Sequence, residues 1–98
     1  MVNNTIQNEW RLRLDQGYYD MLVPWYLMAS HAYYEEDDPI VDDAFYDDMA
    51  KLMIEHWDTI KHRHKSHINI DDLEAGSFLG EYPTMAIAAL AHLRNKHK

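Results

Sequence analysis

The chain has 98 residues, 47% of them hydrophobic and 12% aromatic, which specifies one small folded domain (1–98) with a modest core and no room for separate cofactor and substrate lobes. Cysteine is absent, excluding disulfides, thiolate metal sites and cysteine nucleophiles. The start, MVNNTIQNEWRLR, lacks an apolar signal core, and no run approaches the roughly 18 residues of a membrane span, so a cytoplasmic domain without membrane contact is expected. The formal net charge of −8 argues against direct nucleic-acid binding, whose affinity rests on Lys and Arg displacing counterions. No Lys or Arg occurs between Arg13 and Lys51, an interval holding ten Asp or Glu, while basic residues gather in KHRHK (61–65) and in RNKHK at the C-terminal end.

Taken in chain order, the pattern predicts an all-α domain of about four helices that contains a helical hairpin, with little or no sheet. Ile6, Trp10 and Leu14 recur every fourth residue, marking an amphipathic helix that Asn3 or Asn4 caps and Gly17 weakens. A second helix is expected from about Asp20 to Tyr34, with Pro24 in or near its first turn. Its apolar face should comprise Leu22, Trp25, Tyr26, Met28, Ala29, Ala32 and Tyr33. Asp42 is placed to cap a third helix from Asp43 to about Trp57, burying Phe45, Met49, Leu52, Met53 and Trp57. Asp47, Asp48, Lys51, Glu55 and Asp58 should face water, with modest Asp48–Lys51 and Lys51–Glu55 ion pairs. Beyond it, residues 67–70 suggest a short extended piece, 71–76 a helical turn stopped by Gly76, and 78–82 a loop. Pro83 and Thr84 then open a last helix to about Asn95, with Met85, Ala88, Ala89 and Leu93 among its apolar positions and Arg94, Lys96 and Lys98 at its negative end.

The densest chemical signal is DDPIVDDAFYDD, residues 37–48, preceded by Glu35 and Glu36. Residues 43, 46 and 47 are spaced by three and four, so Asp43, Tyr46 and Asp47 share one helical face. Aromatic rings there suit a cationic ring, and carboxylates suit its charge or a sugar hydroxyl. Residues 33–53, YYEEDDPIVDDAFYDDMAKLM, resemble the N-terminal helical subdomain of bacterial NAD-dependent DNA ligases, whose pattern is roughly Tyr-His/Tyr-x-x-x-x-Pro-x-x-Ser/Pro-Asp-x-x-Tyr-Asp-x-Leu. The spacing matches without a gap. That subdomain folds over the nicotinamide mononucleotide (NMN) half of NAD. The resemblance implies that Tyr33 and Tyr34 face the nicotinamide and ribose, with Asp43, Tyr46 and Asp47 opposite.

Two departures from the family pattern matter: Tyr34 stands where many ligases have histidine, and Phe45 replaces a polar residue, suggesting apolar burial against a partner or the C-terminal helix. The ligase signature Lys-x-Asp-Gly is absent, so this chain alone has no evident acceptor for AMP and ligation by it is not expected. The segment HRHKSHINIDDLEAG is similar, more loosely, to small stand-alone bacteriophage proteins carrying the ligase-like motif. The expectation that follows is a non-catalytic binding module that contacts a host or replication protein with a basic surface through Glu35, Glu36, Asp37, Asp38 and Asp48. The alternative is an accessory module or ligase subunit that binds NMN or NAD.

Other chemistry is weaker. His62, His64 and His67, with His56 upstream, include a ligand type, but the spacing of two and the flanking Lys61, Arg63 and Lys65 oppose a dication, so no metal is expected and a basic surface or a cap for the third helix is. Ser30-His31 and Ser66-His67 are adjacent without a nucleophile elbow around either serine.

Overall fold

The computed structural model describes residues 2–74 and 82–96. Among these residues the chain is all-α. Four helices of 12 or 13 residues, α1 (Asn4–Asp15), α2 (Leu22–Tyr34), α3 (Asp43–Glu55) and α5 (Thr84–Lys96), are joined by a single-turn α4 (Ile70–Glu74) and two 3₁₀ turns. No strand occurs among the described residues, and no helix there is long and apolar enough to cross a membrane.

Helix α1 begins where Asn3 accepts a hydrogen bond from the Ile6 amide at 3.1 Å, satisfying one of the orphan donors of the first turn. It ends in a Schellman arrangement, with the Tyr18 amide donating to Arg13 O and the Gly17 amide to Leu14 O. Gly17 has φ +91°, a left-handed conformation that costs glycine little. Gly17 therefore stops α1 outright. Ile6, Trp10 and Leu14 are buried as their spacing predicts, and Trp10 stacks on Trp25 of α2 with ring centroids 5.0 Å apart.

Helix α2 is the central element. A 3₁₀ turn at Tyr19–Met21 leads into it, and Pro24 sits in its first turn, where its missing amide leaves no helical hydrogen bond unmade. Burial extends beyond the predicted face to Val23, Leu27 and Ser30, because α3 and α5 both pack on it. Tyr33, expected on the buried face, is 45% exposed. It lies in the last turn of α2, facing the open concavity between this helix and the first turns of α3.

Residues 35–42 link α2 to α3 and complete the helical hairpin. Ile40 and Val41 anchor this loop in the core, and the Asn3 amide donates to Ile40 O at 2.9 Å. Asp42 caps α3 by accepting from the Phe45 amide at 2.8 Å. In α3, Phe45, Met49, Ala50 and Met53 are buried, whereas Leu52 and Trp57 are only half-buried and the helix stops at Glu55 with His56 as its C-cap. Phe45 is buried within the domain itself, with the Arg11 guanidinium of α1 4.8 Å above its ring.

Two further expectations change, and others lie outside the described residues. The extended piece expected at 67–70 shrinks to the link between two helical turns: Lys65–His67 forms a 3₁₀ turn and Ile70 already belongs to α4, leaving Ile68 with extended backbone. The glycine stop at Gly76 and the loop at 78–81 lie outside the described residues. Helix α5 turns a different face to α2: Ala86 and Leu90 are buried and Leu93 half-buried, while Met85, Ala88 and Ala89 are exposed. The 86, 90, 93 row is an equally good helical stripe, and only the position of α2 selects it. Lys98 lies outside the described residues.

Candidate functional site

The end of α2 and the first turns of α3 enclose a concave pocket of about 240 Å³ lined by Tyr33, Tyr34, Asp43, Tyr46 and Asp47. The hairpin loop is the cause: anchored at Ile40 and Val41 and pinned by Asn3, it sets the first turns of α3 beside the last turn of α2. Each helical residue advances about 100° around the axis, so one flank of α3 carries Asp43, Tyr46 and Asp47 while the next residue, Asp48, points elsewhere.

Behind the pocket the aromatic rings form a ladder from core to solvent. Tyr26, fully buried, stacks on Tyr46 at 4.8 Å and 16°, and Tyr46 is near-parallel to Tyr33 at 6.3 Å and 15°. Tyr34 meets the edge of Tyr33 at 4.9 Å. Tyr46 is held in place by the buried Ser30, whose hydroxyl lies 2.6 Å from the phenol oxygen. Burial raises the Tyr46 phenol above its ordinary range, a shift that the Ser30 and Tyr26 hydrogen bonds oppose. Burial also raises Tyr34, aided by the neighbouring Tyr33. At neutral pH these phenols remain protonated and offer O–H groups as well as ring faces.

Asp42, beside the pocket, is held by two hydrogen bonds from Gln7 of α1: Gln7 Nε2 donates to Asp42 Oδ2 at 2.9 Å, and the Asp42 amide donates to Gln7 Oε1 at 2.8 Å. The Gln7 bond, followed by the Phe45 amide bond, keeps the Asp42 carboxyl below the usual carboxylate range.

The acidic residues expected to meet a protein partner have three settings. Arg94 of α5 reaches back to the loop, donating to Glu36 Oε1 at 3.0 Å, to Asp38 Oδ2 at 3.1 Å and to the Asp38 carbonyl. His31 Nδ1 lies 3.4 Å from the other Glu36 oxygen. Glu36 and Asp38 therefore belong to an internal clasp. Asp48 lines a second depression, of about 290 Å³, between α1 and α3. Glu35 and Asp37 are exposed on the loop, and Asp37 adopts φ +49°, a left-handed conformation that Asp tolerates better than most residues. Among the described residues no Lys or Arg lies within ion-pair distance of Asp48, so the expected Asp48–Lys51 pair is not formed, nor is Lys51–Glu55.

The histidine segment packs together without forming a cage. The His62 and His64 rings are 5.4 Å apart and the His64 and His67 rings 5.6 Å, and the His64 amide donates to His62 Nδ1 at 3.1 Å. Among the described residues no group of three or more His, Asp or Glu is arranged to hold a metal ion.

Ser30, Tyr26, Gln7, Arg94 and Tyr82 are the contributors that sequence reasoning passed over. Tyr82 meets the His31 ring edge-on at 4.9 Å, and its phenol is raised by burial and then by the charge of Glu35. No protein-family model matches the chain, and no curated protein or solved structure is significantly similar to it.

Proposed function

We propose that this protein is a non-catalytic binding module whose tyrosine and aspartate pocket holds a nicotinamide nucleotide through its nicotinamide and ribose. The observation that supports this reading is the convergence of Tyr33, Tyr34, Asp43, Tyr46 and Asp47, from two helices, on one concavity. The residues suit the group. Tyr33 and Tyr34 offer exposed rings that attract a cationic pyridinium, and Asp43 and Asp47 accept ribose hydroxyl hydrogen bonds or balance its charge. A volume of about 240 Å³ lies below the roughly 300 Å³ at which ligand pockets usually begin, so the pocket takes a ring and its sugar and leaves the rest of a dinucleotide outside. No lysine lines it, which favours binding over acceptance of AMP.

Calorimetric titration of the whole chain with NMN, NAD and AMP tests this. NMN should bind with a Kd of about 0.1–1 mM, as befits an open site. AMP should not bind, and Tyr46→Ala or Asp47→Ala should abolish the NMN signal. Heat from AMP alone, or from none of the three, would sink the reading.

A second reading has its own observation: among the described residues Glu35, Asp37, Asp47 and Asp48 are exposed with no cation in ion-pair distance. This charge suits a protein partner with a basic surface, such as a host or replication protein. Such binding should weaken steeply with salt and survive Tyr46→Ala.

A further inference from the structure

We infer that the pocket selects a flat organic cation that carries no phosphate, so that a pyridinium nucleoside binds in preference to its nucleotide. This inference rests on the nicotinamide reading and narrows its ligand. The five lining side chains comprise three phenols and two carboxylates and no positive group. Among the described residues, Arg94 is spent at the hairpin loop on Glu36 and Asp38, and Arg11 covers Phe45 on the opposite flank of α3. The positive end of α3, the other feature able to attract an anion, is answered by the Asp42 carboxylate on the Phe45 amide and by Asp43 in the first turn.

A phosphate monoester brings a charge of roughly −1.5 to −2 at neutral pH. Placed one sugar length from the ring, it meets Asp43 and Asp47 with no compensating cation among the described lining residues. The pyridinium gains on both counts, from the Tyr33 and Tyr34 ring faces and from the same two carboxylates. The expected ligand class is therefore an N-substituted pyridinium with a neutral, hydroxyl-bearing substituent.

The experiment is calorimetric titration of the whole chain, at low ionic strength, with nicotinamide riboside, NMN, 1-methylnicotinamide and nicotinamide. The riboside should bind about tenfold more tightly than NMN, and 1-methylnicotinamide about tenfold more tightly than neutral nicotinamide, with both gaps narrowing in about 0.5 M salt. Asp47→Asn should lower the ratio of riboside to NMN affinity, a change that general loosening of the fold would not produce. NMN binding as tightly as the riboside, or nicotinamide as tightly as its methylated cation, overturns the inference and leaves the nucleotide pocket standing. Absence of heat from all four overturns both.

Discussion

The Ser30 hydroxyl lies 2.6 Å from the Tyr46 hydroxyl, and Ser30 has no solvent exposure. A buried polar group left without its partner costs more than the hydrogen bond itself contributes. Ser30→Ala should therefore lower unfolding stability by about 1–2 kcal/mol, and Tyr46→Phe by a similar amount. The double variant should lose clearly less than the sum, because both ends of the bond are then gone. Chemical denaturation of the four proteins measures this, and strict additivity would mean that the two hydroxyls do not depend on one another.

Gln7 and Asp42 make a second coupled pair, joining α1 to the start of α3 across 35 residues of sequence. Asp42→Ala removes the N-cap and the Gln7 Nε2 bond to Asp42 Oδ2 but keeps the backbone bond from the residue-42 amide to Gln7 Oε1, and about 1–2 kcal/mol of stability should go with the cap. Gln7→Ala leaves the cap intact and should cost less. A double-mutant cycle in urea should return a coupling of at least about 0.5 kcal/mol. Because Asp42 sets the position of Asp43, both variants should also weaken any ligand held in the pocket; unchanged ligand affinity in Asp42→Ala would separate the cap from the site.

One wall of the pocket was legible in the sequence from local rules of helix geometry, whereas Tyr33 and Tyr34 were set opposite it only by what the resemblance implied. Asp42 signals a helix start, and positions 43, 46 and 47 must share a face once that helix forms. What was not legible depends on long-range packing. The face of α5 that is buried depends on where α2 lies: Met85, Ala88 and Ala89 are as apolar as Ala86 and Leu90, and only the packing on α2 separates them. Ser30 looked like a stray nucleophile because its partner is 16 residues away, and Glu36 and Asp38 looked available to a protein partner because Arg94 arrives from 58 and 56 residues downstream. Charge counts along a sequence do not reveal which charges are answered within the fold.

Arg94 ties α5 to the hairpin loop through two carboxylates and one carbonyl, at a site where its side chain is 25% exposed. Geometry of this kind exceeds that of an ordinary surface pair but remains screened by solvent, so Arg94→Met should cost about 0.5–1.5 kcal/mol. The comparison to make is the stability difference between wild type and variant at low salt and in about 1 M salt. That difference should shrink with salt as the charge pairing is screened. A salt-independent loss would assign the role of Arg94 to the packing of its methylene stem.

Acid should destabilise the protein in two separate windows. Desolvation, followed by neighbouring positive groups, pushes the His62 and His64 imidazoles below their ordinary value of 6.5, and His64 Nε2 is buried without a hydrogen-bond partner. The folded state binds these protons less readily than the unfolded chain, so their contribution is complete above about pH 6.5 and is lost as pH falls through the lower folded values. Asp42, held below its ordinary 3.8 by Gln7 and the Phe45 amide, contributes fully above that value and loses its contribution as pH falls through its depressed folded value. Urea midpoints measured from pH 8 to pH 2.5 should therefore decline in two steps. Replacing both imidazoles, His62→Asn with His64→Asn, should flatten the upper step and spare the lower, while Gln7→Ala should reduce the lower and spare the upper. A single decline unaffected by the histidine pair would mean that neither imidazole is held neutral by the fold.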